Sequence, residues 1–503
     1  MSQGLVDTSD FYSGAGGGGQ GLEAIPGVRV THAANHWKPA TDTYAANFPN
    51  TDVYRGDLRT ANLAQFPYVE LHLDAPECTK WSQSRGKKRD YAMDPTLFDD
   101  PSLDVDEETT RSRMLMQQVP AYLEYVRDRY GKPVLAGITE NVVDVYSWTE
   151  WSQWVGRFKK MGYHTRLIAL NSAHAQPIRT SSRPPQSRDR LYFAYWHESI
   201  GREPDWDKWL RPAAWCDTCD KEISAVQVFK KPGQVMGKYG IGNNGQYVYR
   251  CPHLSCRNQI VEPYFLPAGA IIDWTDLGRP VSEGKLADAT RARILAGVNK
   301  FAQEPIIWAH AGHTFERRPG VRTWSMSRVL PAQTASATMS MAVPLDPAFI
   351  MRNNTERTSP GHMSTSVGEP LRTLTTKGAQ TLVTWQEEAA RQLALLVPYY
   401  KSGVARPVSW PTGALSTKDR YGLAVTELAA EYGEADLDRI LYRMLKIEEI
   451  AAAMAFEPGY ILVAPRHQDK VKLLGNAITP PVIERIASAL VECIRGETLD
   501  LAA

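Results

Sequence analysis

Cys78 stands in Ala75-Pro76-Glu77-Cys78, directly after the apolar run Val69-Glu70-Leu71-His72-Leu73, and Glu140-Asn141-Val142 follows a second such run, Val134-Leu135-Ala136-Gly137-Ile138. A thiol and a carboxylate are therefore expected at two strand ends. In an open parallel sheet, ligands collect outside the carboxyl ends of the strands, which makes the pair a candidate nucleophile and a candidate acid. The thiolate is the reactive form of cysteine, and backbone amides or nearby arginines at such a turn lower its pKa. Gln186-Ser187-Arg188-Asp189-Arg190 adds two guanidinium forks, which suit an oxygen acceptor. Near the amino terminus, Gly14, Gly16 and Gly19 fit a glycine-rich turn that follows Asp10-Phe11-Tyr12 and precedes the helix-like Gly21-Leu22-Glu23-Ala24. That is a strand, loop and helix context in which backbone can approach a ligand closely.

Four of the six cysteines form a second constellation, Cys216-Asp217-Thr218-Cys219 and Cys251-Pro252-His253-Leu254-Ser255-Cys256. Paired knuckles of this kind in a reducing compartment are more often metal ligands than disulfides. Cys216, Cys219, Cys251 and Cys256 would close a tetrahedral zinc site with no open position, which is structural rather than catalytic. His253 lies inside the second knuckle and could replace a thiolate, but four cysteines already suffice.

These groups need elements to hold them. Residues 1–200 alternate short apolar strands with helical stretches: a strand at Val28–Ala33, a helix at Lys38–Asn47, an amphipathic helix at Met114–Tyr130 before the strand at 134–138. Such alternation argues for βαβ units. Acidic, breaker-rich 94–108 reads as a mobile loop. At 503 residues the chain is too long for one core, and its 43% hydrophobic and 22% charged content is that of a soluble globular protein. No apolar run reaches the roughly 20 residues of a membrane span and no signal peptide opens the chain, so a cytoplasmic monomer with no membrane partner is expected. A net charge of +1 gives no global basic field. Nucleic-acid binding would then rest on local patches: Arg85, Lys87 and Lys88 in one, and the segment from Arg179 to Arg190 in the other.

Between about 305 and 425 the letters repeat. Val367-Gly368-Glu369-Pro370-Leu371-Arg372-Thr373-Leu374-Thr375-Thr376-Lys377 is echoed 41 positions later by Val408–Lys418, and more weakly 41 positions earlier near Leu330–Thr334. The period suggests three small strand-turn-strand units stacked together.

Taken in order, the glycine turn, Cys78, Glu140-Asn141-Val142, the Gln-x-Arg-x-Arg pattern and Gly475-Asn476-Ala477 resemble the motifs of the C5-cytosine DNA methyltransferases, over about 1–200 and 440–490. Glu77 stands where the family usually has proline, and Thr79 where glutamine is common. The resemblance implies S-adenosylmethionine as donor and double-stranded DNA as partner. It makes Cys78 the nucleophile at cytosine C6, Glu140 the residue at N3, Arg190 the grip on O2, and Arg188 the residue that orients glutamate and cysteine. Because the reacting carbons are buried in the duplex stack, such an enzyme extrudes its target base. For the donor the resemblance implies Tyr12, Gly14, Ala15, Gly16 and Gly17 around the methionine moiety, Trp37 and Leu58 against adenine, Asp57 on its amine, and Asn476 folded back beside the pocket. Arg443, Leu445 and Glu449 resemble the motif just before Asn476. His36 stands where an acidic residue normally accepts the ribose hydroxyls.

The 305–430 block occupies the position of the family's target-recognition region. Its Arg372 and Lys377, with Gln186 and the first basic patch, are expected at the DNA. The expected architecture is α/β: a Rossmann-like methyltransferase lobe (1–204 with 431–503), a zinc ribbon (205–265), a helical connector (266–304), and the repeat-built recognition region, the middle segments forming a smaller lobe. Two further readings stay open. One is C5 transfer to RNA or from a modified sulfonium donor, and the other is a catalytically silent DNA-binding protein.

Overall fold

The computed structural model describes residues 4–76, 107–180, 182–216, 218–243, 245–266, 268–271, 273, 275–276, 279–283 and 446–500, together with the backbone of short strands between 306 and 444. The first part of the chain runs β1 (Val6–Phe11), α1 (Gly17–Glu23), β2 (Val28–Asn35), α2 (Lys38–Asn47), β3 (Asp52–Arg55), β4 (Leu71–Asp74), α3 (Glu107–Tyr130), β5 (Ala136–Val142), α4 (Trp151–Lys160), β6 (Tyr163–Asn171), β7 (Gln186–Ser187) and β8 (Asp189–His197). Then come α5 (Trp206–Leu210), β9 (Ala213–Cys216), β10 (Lys221–Ser224), β11 (Val226–Phe229), β12 (Tyr247–Arg250) and β13 (Ile260–Val261). Three helices close the described chain: α6 (Ile447–Ala453), α7 (His467–Asn476) and α8 (Pro480–Arg495).

Seven strands form one sheet in the order β3-β2-β1-β4-β5-β8-β6. The first five are parallel, as the βαβ alternation implies, but β8 runs antiparallel between β5 and β6. The chain leaves β1 for β2 on one side and later returns to β4 on the other, so the topological switch point lies between β1 and β4. A ligand crevice belongs outside the carboxyl ends of those strands.

Alternation along β8 shows how the sheet is covered on both sides. Leu191, Phe193 and Tyr195 join an apolar core with Met116, Leu123, Trp154 and Phe158 of α3 and α4. Tyr192, Ala194 and Trp196 join the opposite core with Leu22 of α1, Trp209 of α5, and Val482, Ile486 and Leu490 of α8. Period-two burial on both faces is the signature of a central strand. The cysteine-bearing strands do not form a separate core, since Ala214, Cys216, Tyr247, Tyr249, Cys251 and Val261 belong to the same cluster as the α3 and α4 face.

Helix α2 spans the predicted residues, and α3 begins earlier than the pattern indicated. Strand β5 departs from expectation: Glu140, Asn141 and Val142 lie within it rather than after it. The cause is β8, whose Arg190, Leu191 and Tyr192 pair with Val142, Asn141 and Glu140 and extend the strand. Most of the expected loop at 94–108 lies outside the described residues, as do Val367–Lys377 and Leu330–Thr334 of the repeat. Between 306 and 444 the described backbone forms small antiparallel sheets, one joining Leu393–Pro398, Tyr421–Thr426 and Ile440–Met444. Thr412–Gly413, within the later echo of the repeat, pairs in parallel with Gln186–Ser187. Among the described residues no helix is long and apolar enough to cross a membrane.

Helix α1 has the sequence Gly-Gly-Gly-Gln-Gly-Leu-Glu, a poor helix former, since each interior glycine costs about 1 kcal/mol relative to alanine. Tertiary packing selects it. A Cβ on Gly17 would sit 2.0 Å from the Ile478 carbonyl oxygen, and one on Gly21 would sit 2.4 Å from that of Pro480. Only glycine lets α1 lie this close to the start of α8. Gly17→Ala is therefore expected to lower stability by about 1–3 kcal/mol, the usual range for overpacking, read as a drop in denaturant midpoint. An unchanged midpoint would mean that this approach does not constrain the fold.

Candidate functional site

At the switch point, a small, partly open pocket is lined by Phe11, Tyr12, Leu58, Leu63, His72, Asp74, Gln118, Val119 and Tyr122. Two residues expected at the donor, Tyr12 and Leu58, are in its wall. Tyr12 has a left-handed φ of 57°, which is strained for a side-chain-bearing residue and turns the chain sharply out of β1. Gly14 and Gly16 follow at φ 55° and 89°. The glycine turn is held from outside by the Tyr460 hydroxyl, which donates to the Ala15 carbonyl at 2.6 Å. The Asn476 carbonyl lies 3.8 Å from where a Gly14 Cβ would be, so the late motif does fold back against the early one.

The second βα unit brings Trp37 to the start of α2, where its amide donates to Asn35 Oδ1 at 3.0 Å. The Lys472 ammonium of α7 sits 4.4 Å from the centre of the Trp37 ring. His36 is exposed. The Asp57 carboxylate accepts from Arg59 Nε at 3.0 and 2.9 Å, so an adenine amine there would share it with a guanidinium.

Sequence reasoning took Val69–Leu73 as an apolar run and missed what its polar members do. Ser9 Oγ lies 2.7 Å from His72 Nδ1, His72 Nε2 lies 3.6 Å from Asp74 Oδ2, and Thr139 donates to Asp74 at 3.2 Å. Burial lowers the His72 pKa to about 3 and that of neighbouring His32 to about 4, and raises Asp74 well above the usual carboxylate range. Asp10 is raised to about 7 because burial outweighs the hydrogen bonds from Tyr44 and the Gly19 amide. The available signal was a histidine and an aspartate inside a strand too short to have an exposed face.

On the other side of the switch point, Glu140 is 9% exposed, and its Oε1 lies 2.9 Å from Arg190 Nε. Arg190 also donates to the Asp189 carbonyl at 3.1 Å. Asn141 reaches the neighbouring strand end, donating to the Pro76 carbonyl at 3.3 Å, two residues before Cys78. Cys78 itself lies outside the described residues, as do Arg85, Lys87, Lys88, Arg372 and Lys377.

The two arginines of the segment have different partners. Arg190, the second of the pair, meets the glutamate, whereas Arg188 is buried and donates to the Gly475 and Ala477 carbonyls at 3.3 and 3.1 Å. Gln186, expected at the DNA, is fully buried and donates to the Ala453 carbonyl at 3.3 Å. Amides 178–180 converge on the buried Glu484 carboxylate. The stretch from Arg179 to Arg190 is thus largely internal framework rather than an open basic strip, because its polar groups saturate acceptors on α6, α7 and α8.

The four expected cysteines come together. Their sulfurs all lie within 4.8 Å of one another, with Cys219 and Cys251 at 3.8 Å. A tetrahedron of 2.3 Å zinc–sulfur bonds separates its sulfurs by about 3.8 Å, so the donor set fits that ion in type and spacing. The Cys219 amide donates to the Cys216 carbonyl at 3.1 Å and the Cys251 amide to Gln259 at 3.0 Å, which shapes both knuckles. His253 Nδ1 lies 3.3 Å from Cys251 Sγ, outside this quartet.

Residues 6–102 match the family described as C-5 cytosine-specific DNA methylase. No curated protein matches the sequence. Among solved structures the chain is similar to a DNMT2 mutant of Spodoptera frugiperda (13% identity, 97% of this chain and 100% of that one, TM-score 0.44). It is also similar to the S. pombe Dnmt2 methyltransferase (13%, 97% and 98%, 0.43) and the Entamoeba histolytica methyltransferase EhMeth (11%, 97% and 99%, 0.44).

Two outcomes follow from this geometry. Purified protein is expected to carry about one zinc per chain, and Cys219→Ser to lose it together with thermal stability, because metal binding and local folding are coupled. Metal-free protein of equal stability would overturn the zinc reading. For Asp10, the folded pKa lies above the unfolded value, so the native state holds a proton that the unfolded chain releases. Its contribution to stability is complete below about pH 4 and is lost as pH rises to about 7, by at most about 1.4 kcal/mol per pH unit. Asp10→Asn should flatten that stretch of the stability–pH curve, and an unchanged slope would assign the titration elsewhere.

Proposed function

We propose that this chain, which matches the C-5 cytosine-specific DNA methylase model over residues 6–102, is a C5-cytosine methyltransferase that transfers a methyl group to C5 of a cytosine extruded from double-stranded DNA. The observation that carries the reading is the Glu140–Arg190 pair at 2.9 Å, held at the end of β5 beside the strand that leads to Cys78. Carbon 5 of cytosine is a poor nucleophile until a second nucleophile adds to C6. Cys78 supplies that thiolate, and the new S–C6 bond pushes electrons toward N3 and C5. Glu140, held by Arg190, faces N3 as the proposed general acid, while the remaining guanidinium donors of Arg190 grip O2. S-adenosylmethionine, when bound, supplies the electrophilic methyl group that C5 takes up. Loss of the C5 proton then expels the thiolate and restores the ring.

For the donor, the cavity beside Tyr12 and Leu58 is the proposed seat, with Trp37 beneath adenine and Asn476 closing the turn. Zinc held by Cys216, Cys219, Cys251 and Cys256 would supply structure and no chemistry, since four thiolates leave no open position. The 305–430 region, with Arg372 and Lys377, is proposed to read the target. DNA is preferred to RNA on the family's description.

The test is a duplex with 5-fluorocytosine at the target, whose fluorine cannot leave as a proton. Wild type should be trapped covalently, and Cys78→Ser should show neither trapping nor turnover. Glu140→Gln should lower kcat by on the order of 10²–10⁴-fold, as expected for loss of a general acid. Trapping on a structured RNA but not on DNA would reassign the substrate, and a product base heavier than 5-methylcytosine would reassign the donor. Full methylation by Cys78→Ser would overturn the mechanism.

A further inference from the structure

Asp189, the first residue of β8, stands between Arg188 and Arg190 in the chain, and its side chain points the other way. Strand alternation puts Arg188 and Arg190 on one face and Asp189 on the opposite face, toward the cysteine-bearing module. There its Oδ1 accepts the Tyr239 amide at 2.9 Å, and the carboxylate is only 8% exposed. The local backbone leaves that amide to Asp189: the neighbouring bonds run from Gly240 N to the Tyr247 carbonyl and from Tyr247 N to the Lys238 carbonyl. The Tyr239 ring packs edge-on against His174 at 4.4 Å and lies 5.8 Å from both Tyr247 and Tyr249. Those two tyrosines belong to β12, which runs directly into Cys251. A second tie runs from Gln227 of β11 to the Ala169 carbonyl of β6 at 2.7 Å. On the catalytic side, the Asp189 carbonyl accepts from the Arg190 guanidinium, which in turn meets Glu140.

The contacts form one line: cysteine cluster, β12, Tyr239, Asp189, Arg190, Glu140. We propose that Asp189 is a positioning residue through which the four-cysteine module fixes Arg190 and Glu140 in their working geometry. The module is then part of the catalytic apparatus rather than only an appendage for recognition. This rests on the reading that Arg190 and Glu140 meet the base. The energetic case is that a buried carboxylate must be satisfied by hydrogen bonds. A bond to a charged acceptor is among the stronger ones, so breaking it frees the first turn of β8 to shift. A displacement of about 1 Å in a catalytic group is enough to cost on the order of 10²-fold in rate.

The experiment compares Asp189→Ala, Asp189→Asn and Arg190→Ala in the full chain. Asp189→Ala is expected to lower kcat about 10–100-fold, with donor dissociation constant and zinc content unchanged. Asp189→Asn, which keeps an acceptor for the Tyr239 amide, should recover most of the rate. Hydrogen exchange at the amides of 189–192 should speed up in Asp189→Ala and not in Asp189→Asn. Chelating the metal from wild type should speed exchange at the same amides. If Asp189→Ala does not yield folded protein, Asp189→Ser, too short to reach the amide, replaces it. Full activity in Arg190→Ala would overturn the reading that Arg190 meets the base, on which this proposal rests. An inactive Arg190→Ala beside a fully active Asp189→Ala would overturn only the positioning role. Equal losses in Asp189→Ala and Asp189→Asn that follow thermal stability would also overturn it, since a merely structural contact behaves that way.

Discussion

Arg188 is the contact on which the arrangement of the two sequence-distant halves depends. A buried guanidinium must find acceptors or it is strongly destabilising, and here they are the Gly475 and Ala477 carbonyls at the end of α7. The last carbonyls of a helix lack intrahelical partners and carry the negative end of its dipole, so the cation and the helix end satisfy each other. The next residues of the chain, Ile478 and Pro480, are those whose carbonyls approach Gly17 and Gly21. One interaction thus fixes the strand bearing Arg190, the turn bearing Asn476 and the glycine helix relative to one another. The glycine turn and the Glu140–Arg190 pair on either side of the switch point are thereby tied to one another.

The same economy appears at the start of β8, where three consecutive residues, Arg188 to Arg190, meet three partners. Arg188 holds the C-terminal segment, Asp189 the Tyr239 backbone, and Arg190 the carboxylate of Glu140. Reversal of this strand makes that possible. Running antiparallel to β5, β8 brings its first residues to the carboxyl end of the parallel strands, where the ligand crevice lies. A parallel strand in that position would present its last residues there, and the arginines would need a separate loop.

How much of this was legible in the letters depended on how local the cause was. Helix α2 was readable because its signals lie within its own span, and the cysteine cluster because thiolate spacing is constrained by the knuckles themselves. The placement of Glu140 inside β5 was not, because the strand is lengthened by a partner some fifty residues away in sequence. The division of labour between Arg188 and Arg190 depends on the pleat, which sends alternate side chains to the same face but leaves their partners to the tertiary fold. Gln186 was expected at the DNA, yet it is fully buried against the end of helix α6. The glycine run was legible as a close-approach signal, but part of what approaches is the protein's own chain, with Ile478, Pro480 and Tyr44 standing where side chains would be. Lys472 on Trp37 and Arg59 on Asp57 carried no motif at all.

The polar floor beneath the cavity follows from the same logic of burial. Ser9, Asp10, His32, His72 and Asp74 are all almost wholly inaccessible, in a place where an isolated charge is costly. The shifts answer that cost in one direction: the imidazoles of His32 and His72 are driven toward the neutral form, and the carboxyls of Asp10 and Asp74 toward retaining protons. A cluster rich in ionisable residues therefore behaves as a nearly neutral hydrogen-bonding network rather than as a charged one. Such a network keeps direction without field, orienting polar partners by hydrogen bonds. The charged groups Glu140 and Arg190 stand apart on the neighbouring strand ends, paired with each other. The fold thus sets a largely neutral network beneath the pocket beside an ion pair on the neighbouring strand ends.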